Sequence, residues 1–188
     1  MKKRIMLGAL VLACVSIMAC GSLAYFTMDE RATNTITAGN IQMELQELAI
    51  PPDGGDPVPF EDVSDVMPGA QISKIVQVKN TGSNAMYVRI RVDKAIQLAE
   101  GVSGEVDTSL VSMDLNTTDW TEQDGYYYYN TAVAPGETTQ PLFTTVSFAE
   151  EMDNMYQNSK AIVSVFAAAI QVANNGDTVF DAAGWPEA

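Results

Sequence analysis

A chain of 188 residues has room for one domain, or two very small ones. It carries 24 Asp and Glu against 10 Lys and Arg, for a net charge of −14, and it has two cysteines and no histidine. These counts exclude a Ser-His-Asp triad, a Cys-His pair and His-ligated zinc, and they argue against charge-driven binding to nucleic acid or anionic lipid.

The first predicted element is an address. Lys2, Lys3 and Arg4 precede an apolar run from Ile5 to Ala19, and the small residues Gly21-Ser22-Leu23-Ala24 follow. Basic, apolar and small-x-small in that order predict a secretory signal peptide at residues 1–24, cut between Ala24 and Tyr25 with Ser22 completing the cleavage site. Two other outcomes stay open. The apolar run extended to Phe26 is long enough for an uncleaved anchor, and Cys20 sits in a partial lipoprotein-type setting in which it would be lipidated. Removing 24 residues, three of them basic and none acidic, leaves 164 residues at −17 with no cysteine. Such a domain is held by its core alone.

Residues 25–40 form an N-terminal segment, and 41–188 read as a β domain. Ile41, Met43 and Leu45 alternate with Gln42 and Glu44, the period of a half-buried strand. Pro51 to Pro68 is proline-rich and acidic and predicts a surface loop; it has no Asp-x-Asp-x-Asp-Gly calcium spacing. Pro68-Gly69 turns the chain into a strand at Ile72 to Lys79. Asn80-Thr81-Gly82-Ser83 predicts a hairpin turn into Met86 to Val92, with Val88 and Ile90 inward and Tyr87, Arg89 and Arg91 on a solvated face. Leu110 to Leu115 is a weaker strand candidate, and Asn116-Thr117-Thr118 matches a short glycosylation sequon. Asp124-Gly125 between Trp120 and Tyr126 predicts a second hairpin.

Tyr126, Tyr127, Tyr128 and Tyr129 fall two to each face of a strand. Aromatics favour strands in any case, but exposed they could bind a glycan or a protein surface. Pro135-Gly136 introduces a strand at Leu142 to Phe148, Met152, Met155 and Tyr156 suggest a short helix capping the core, and Ala161 to Ala173 is a long apolar strand. About eight strands with one short helix predict an all-β, antiparallel sandwich.

No Gly-x-Ser-x-Gly, His-Glu-x-x-His or phosphate-binding loop is present. The residues therefore predict no enzyme, no metal site and no cofactor; carboxylates scattered over turns are explained by a solvated surface more simply than by a glycosidase pair.

Gly21-Ser22-Leu23-Ala24-Tyr25-Phe26-Thr27, followed by Asn34-Thr35-Ile36-Thr37-Ala38-Gly39-Asn40-Ile41, resembles the start of the TasA/camelysin family of Gram-positive bacteria. The resemblance continues through Pro68-Gly69, Val78 to Ser83 and Tyr87 to Val92, and returns at Ala169-Ile170-Gln171. Here Met28 precedes Asp29 where the family has Asp soon after Tyr-Phe-Thr. The resemblance implies a jelly-roll-like sandwich, export through a dedicated SipW-type signal peptidase, and residence outside the cell, at its surface or in a biofilm matrix. It also implies self-assembly into head-to-tail filaments, with an anchoring or nucleating matrix protein as a further partner. In that scheme the freed N-terminus leaves its own subunit and adds as a strand to the next, with Tyr25, Phe26, Met28 and Ile36 as the donor residues. Camelysin-like relatives are classed as surface metalloproteases, an activity that no metal motif of this chain supports. The alternative to a filament subunit is a monomeric surface-binding module using the tyrosine run.

Overall fold

The computed structural model describes residues 26–36 and 41–186; within 26–36 it describes the backbone and the Met28 side chain. The proposed signal peptide, with Ser22, Ala24, Tyr25 and Cys20, lies outside the described residues.

Among the described residues eleven strands form two facing sheets. They are β1 (Phe26–Ile36), β2 (Met43–Ala49), β3 (Val58–Pro59), β4 (Val63–Val66), β5 (Gln71–Asn80), β6 (Met86–Gln97), β7 (Val111–Met113), β8 (Trp120–Gln123), β9 (Tyr126–Tyr129), β10 (Phe143–Phe148) and β11 (Ser159–Gln171). One sheet runs β4-β1-β11-β6-β9-β8 and the other β3-β2-β5-β10-β7. Helical structure among the described residues is two 3-10 turns, Thr108–Leu110 and Asn154–Tyr156. The second is the short helix expected near Met152. Asp153 caps it by accepting from Met155 N at 2.8 Å, and Met152 and Tyr156 are buried beside it.

The core between the sheets is built by alternation. Met43 and Leu45 from β2, Val76 and Val78 from β5, Val88 and Ile90 from β6, and the odd-numbered positions Ala161 to Ala169 of β11 all point inward. Trp120 closes one end, donating its ring N–H to Gln140 O at 3.0 Å, so its burial leaves no orphaned donor.

Both Pro-Gly pairs make the expected turns. Gly69 and Gly136 have φ of 77° and 81°, and Ala70 N and Glu137 N donate back to Met67 O and Ala134 O. Proline first and a left-handed glycine second is the chemistry of a type II turn. The β8–β9 hairpin also forms as expected, with Asp124 and Gly125 both at positive φ.

Three expectations change. β5 and β6 are not a hairpin: they belong to opposite sheets, and residues 81–85 arch across the sandwich. Asn80 explains the arch. It is fully buried, its amide donates to Asn84 O and Val133 O, and its carbonyl accepts from Gly82 N, while Thr81 N and Gly82 N donate to Gln42 O. These bonds commit the turn to β2 and to the loop before β10, and the chain then has to enter the other layer. The Pro51–Pro68 stretch is not all loop, because β3 and β4 lie within it as short edge strands, where proline is tolerated. The expected all-β antiparallel sandwich does form, with one parallel ladder in it among the described residues, that of β1 on β11. Finally, the face of β6 carrying Tyr87 and Arg89 is not solvated. Residues 172–186 fold back over it and form a second apolar cluster with Tyr87, Tyr128, Ile170, Val179 and Trp185.

Candidate functional site

β1 occupies a slot between β11 and β4. Against β11 it keeps one parallel register from Phe26 opposite Ser159 to Ile36 opposite Ala169. On its other side it meets the short β4 antiparallel, Phe26 opposite Val66 and Met28 opposite Val63, with a register shift between them. Met28 is 0% exposed and packs in the main core, opposite Ala161. The small side chain of Ala161, opposite Met28 on the neighbouring strand, leaves room for a bulky methionine on the inner face. Of the four donor positions expected from sequence, Phe26, Met28 and Ile36 lie on β1, and Tyr25 is outside the described residues.

The slot has a distinctive economy. β1 is joined to β2 in the opposite sheet through residues 37–40, so it shares no tight hairpin with either neighbour. It lies at the N-terminal end of the described chain, and its parallel ladder is the only one among the described residues. Removing it would bare edges of β11 and β4 carrying unpaired N–H and C=O groups, a ready template for another strand.

The tyrosine run lies on β9, two residues to a face as predicted. Tyr127 and Tyr129 pack toward the main core, Tyr129 against Trp120 with ring centres 5.0 Å apart. Burial, with Glu122 beside it, pushes the Tyr127 phenol above its ordinary value. Tyr126 and Tyr128 face the second cluster and are engaged there by Arg89. The guanidinium carbon lies 3.9 Å from the Tyr126 ring centre and 4.9 Å from that of Trp185. Its nitrogens donate to Tyr128 Oη at 3.3 Å and to Pro186 O at 2.6 Å. Arg89 is thus the pin that holds the C-terminal segment down.

A second charged pair had no motif to announce it. Lys74 on β5 and Glu47 on β2 form an ion pair inside the sandwich, with side-chain exposures of 0% and 2%. The Lys74 ammonium also lies 4.0 Å from the centre of the Phe60 ring. The signal that could have found them is phase. Lys74 falls on the inward series Ile72, Val76, Val78, and Glu47 on the inward series Met43, Leu45.

A family model described as camelysin metallo-endopeptidase matches residues 1–106, more than half of the chain. The chain belongs to the camelysin family. No curated protein and no solved structure matches it. As a camelysin-family chain it is an exported protein, and the family is associated with the cell surface or the extracellular space. No helix among the described residues is long and apolar enough to cross a membrane. Membership overturns one expectation: the residues predict no enzyme, whereas the family's description names a metallo-endopeptidase and so points to a peptidase.

The described residues of this camelysin-family chain do not fit a catalytic metal. Among those described, no group of three or more His, Cys, Asp or Glu could hold an ion, where a catalytic zinc takes three protein ligands. Several acidic side chains are already committed elsewhere. Asp114 accepts from Thr144 N, Thr144 Oγ1 and Thr145 N at 2.6–2.9 Å. Partial burial pushes its carboxyl upward, but these bonds together outweigh burial and hold it below the usual range. Asp107 caps the Thr108–Leu110 turn by accepting from Ser109 N, and hydrogen bonding from the Ser109 side chain, then from its backbone N–H, lowers its carboxyl.

Proposed function

We propose that this exported camelysin-family protein is a structural subunit that assembles head to tail into filaments at the cell surface or in an extracellular matrix, by donating its N-terminal strand to the next copy. The observation that carries the reading is the seating of β1. It is a long strand at the N-terminal end, paired on both sides and anchored by Met28, yet held by no hairpin. A neighbour's copy of the same strand would satisfy the same ladder and the same pocket, so exchange replaces contacts in kind. Such a contact does not close on itself, and it propagates. Cleavage after Ala24 by a dedicated signal peptidase would leave Tyr25 free immediately before β1, making the segment 25–40 the mobile arm and 41–188 the body that receives it.

This reading concerns how copies join and stands beside the peptidase activity to which the family description points. The test is assembly of purified residues 25–188, followed by electron microscopy and sedimentation. Filaments are expected, and deletion of residues 25–34 should leave a protein that no longer polymerises alone yet still binds a synthetic 25–36 peptide. Polymerisation of the deletion variant would overturn strand donation.

A further inference from the structure

The buried pair Lys74–Glu47 lies between neighbouring strands of the five-stranded sheet. Glu47 stands opposite Val76, so Lys74, two residues along β5 on the same face, is its diagonal neighbour across the ladder. Both side chains turn inward, both are almost completely shielded from water, and they are in direct contact. Phe60, 5% exposed, covers the ammonium and also lines a groove of about 810 Å³ that opens beside β2 and β4. The pair is therefore one side chain beneath solvent while being excluded from it.

Two opposite charges in such a place are costly to keep. Each loses several kcal/mol of hydration, and their attraction returns that only in part. A second arrangement of the same atoms carries no charge at all. We propose that Lys74 and Glu47 condense to an intramolecular amide that staples β2 to β5. The ammonium passes one proton to the carboxylate along their contact, giving amine and carboxylic acid. The freed lone pair on Nζ adds to Cδ, and the tetrahedral adduct expels one oxygen as water with two of the three original ammonium hydrogens. The third stays on the amide nitrogen, so atoms and charge balance and no oxidant or reductant is needed. Two features favour the product. The reacting atoms are held together by the sheet, which replaces a collision between separate molecules by a fixed approach. The water leaves past Phe60 into the groove, and the amide that remains is neutral where the ion pair was not. The staple joins strands of the body and leaves β1 free, so it is independent of strand donation.

The experiment is mass analysis of the full exported protein with a tryptic map. Neither Lys nor Arg occurs between Ala32 and Ser73, so the unlinked protein gives separate peptides 32–74 and 75–79. The amide blocks cleavage after Lys74, giving one peptide 32–79 lighter by one water, about 18 Da, as a single amide bond requires. A second digestion at acidic residues such as Glu61 should release two branches that remain joined. The Lys74→Met protein should show the full sequence mass. Cleavage after Lys74 in the wild-type protein with no mass deficit would overturn the proposal. So would a deficit that survives in Lys74→Met or maps to another segment, such as Asp124-Gly125. If Lys74→Met fails to fold, the wild-type map alone decides.

Discussion

Met28 offers the sharpest test of the seating of β1. Its side chain is completely buried against the inner face of β11, so Met28→Ala removes a buried thioether chain and leaves a cavity. Such truncations cost about 2–5 kcal/mol. With a urea slope of about 2 kcal/mol per molar, a loss of about 3 kcal/mol lowers the unfolding midpoint by roughly 1.5 M. Met67→Ala is the matched control, since Met67 is 39% exposed, and it should move the midpoint by no more than about 0.25 M, half a kcal/mol on the same slope. The consequence for assembly is less obvious. If the neighbour's Met28 fills the same pocket, the substitution weakens the closed subunit and the filament contact equally, and their balance is unchanged. The critical concentration should then stay within a few-fold of wild type, while opening of the slot accelerates by up to about a hundredfold, since each 1.4 kcal/mol is a factor of ten. Denaturation curves and pelleting over a concentration series measure both quantities. A midpoint shift below about 0.3 M would show that β1 is not seated as described. A critical concentration raised a hundredfold with stability unaffected would show that Met28 serves another interface.

Four further outcomes follow from the same geometry. Subunits of residues 25–188, at −17, repel at neutral pH, so their assembly should quicken from 0.01 to 0.15 M salt as the screening length falls from about 30 to about 8 Å; turbidity traces that are flat with salt would refute this. Measured against protein in which Lys74 and Glu47 have not condensed, Lys74→Met should destabilise by about 3–5 kcal/mol, because it strands Glu47 in the core, and Lys74→Met with Glu47→Leu should recover most of it; equal costs for the single and the double variant would refute burial of the pair. Trp185→Ala should cost about 1–2 kcal/mol, less than a fully buried aromatic, and should raise proteolysis within residues 172–186 by releasing Arg89, which limited digestion would detect. Asp114 has a lowered folded pKa, so the unfolded chain binds more protons just below about pH 4 and the stability it supplies is lost as pH falls through the folded value; Asp114→Asn should flatten that part of the stability curve, measured by thermal melts.

The sandwich was legible because alternation and turn chemistry are local. Asp124-Gly125 and the two Pro-Gly pairs announce their turns within four residues, and Val76, Val78, Val88 and Ile90 announce a buried face by period. What could not be read is what a strand pairs with. Asn80-Thr81-Gly82-Ser83 has the composition of a hairpin turn, and its diversion into an arch depends on bonds to Gln42 and Val133, which are distant in sequence. Arg89 read as solvated because its cover, Trp185 and Pro186, arrives about a hundred residues later. The parallel partner of β1 is hidden for the same reason. For the candidate site, sequence singled out residues 25–40 as a candidate arm without showing the slot that β1 fills, and it passed over Lys74 and Glu47 because charged residues are expected to face water.

Those two misses bear on one another. A subunit that surrenders a strand between β4 and β11 must keep its remaining sheets in register while an edge is open, or the slot collapses before a neighbour arrives. In the five-stranded sheet the inward contact between β2 and β5 falls at Glu47 and Lys74, toward the end of β2 remote from where it receives the chain from β1. At the other end, where β2 begins, Thr81 N and Gly82 N of the turn after β5 donate to Gln42 O, and the buried Asn80 holds that turn by donating to Asn84 O. β2 and β5 are therefore fastened at both ends by buried polar contacts, whereas the side-chain anchor described on β1 is the apolar Met28. Polar contacts with fixed partners resist exchange, because breaking them strands a buried donor or acceptor. An apolar side chain in a matching pocket can leave and be replaced by an identical one. In the proposed assembly, that difference in chemistry separates the part of the sandwich that stays from the strand that is traded.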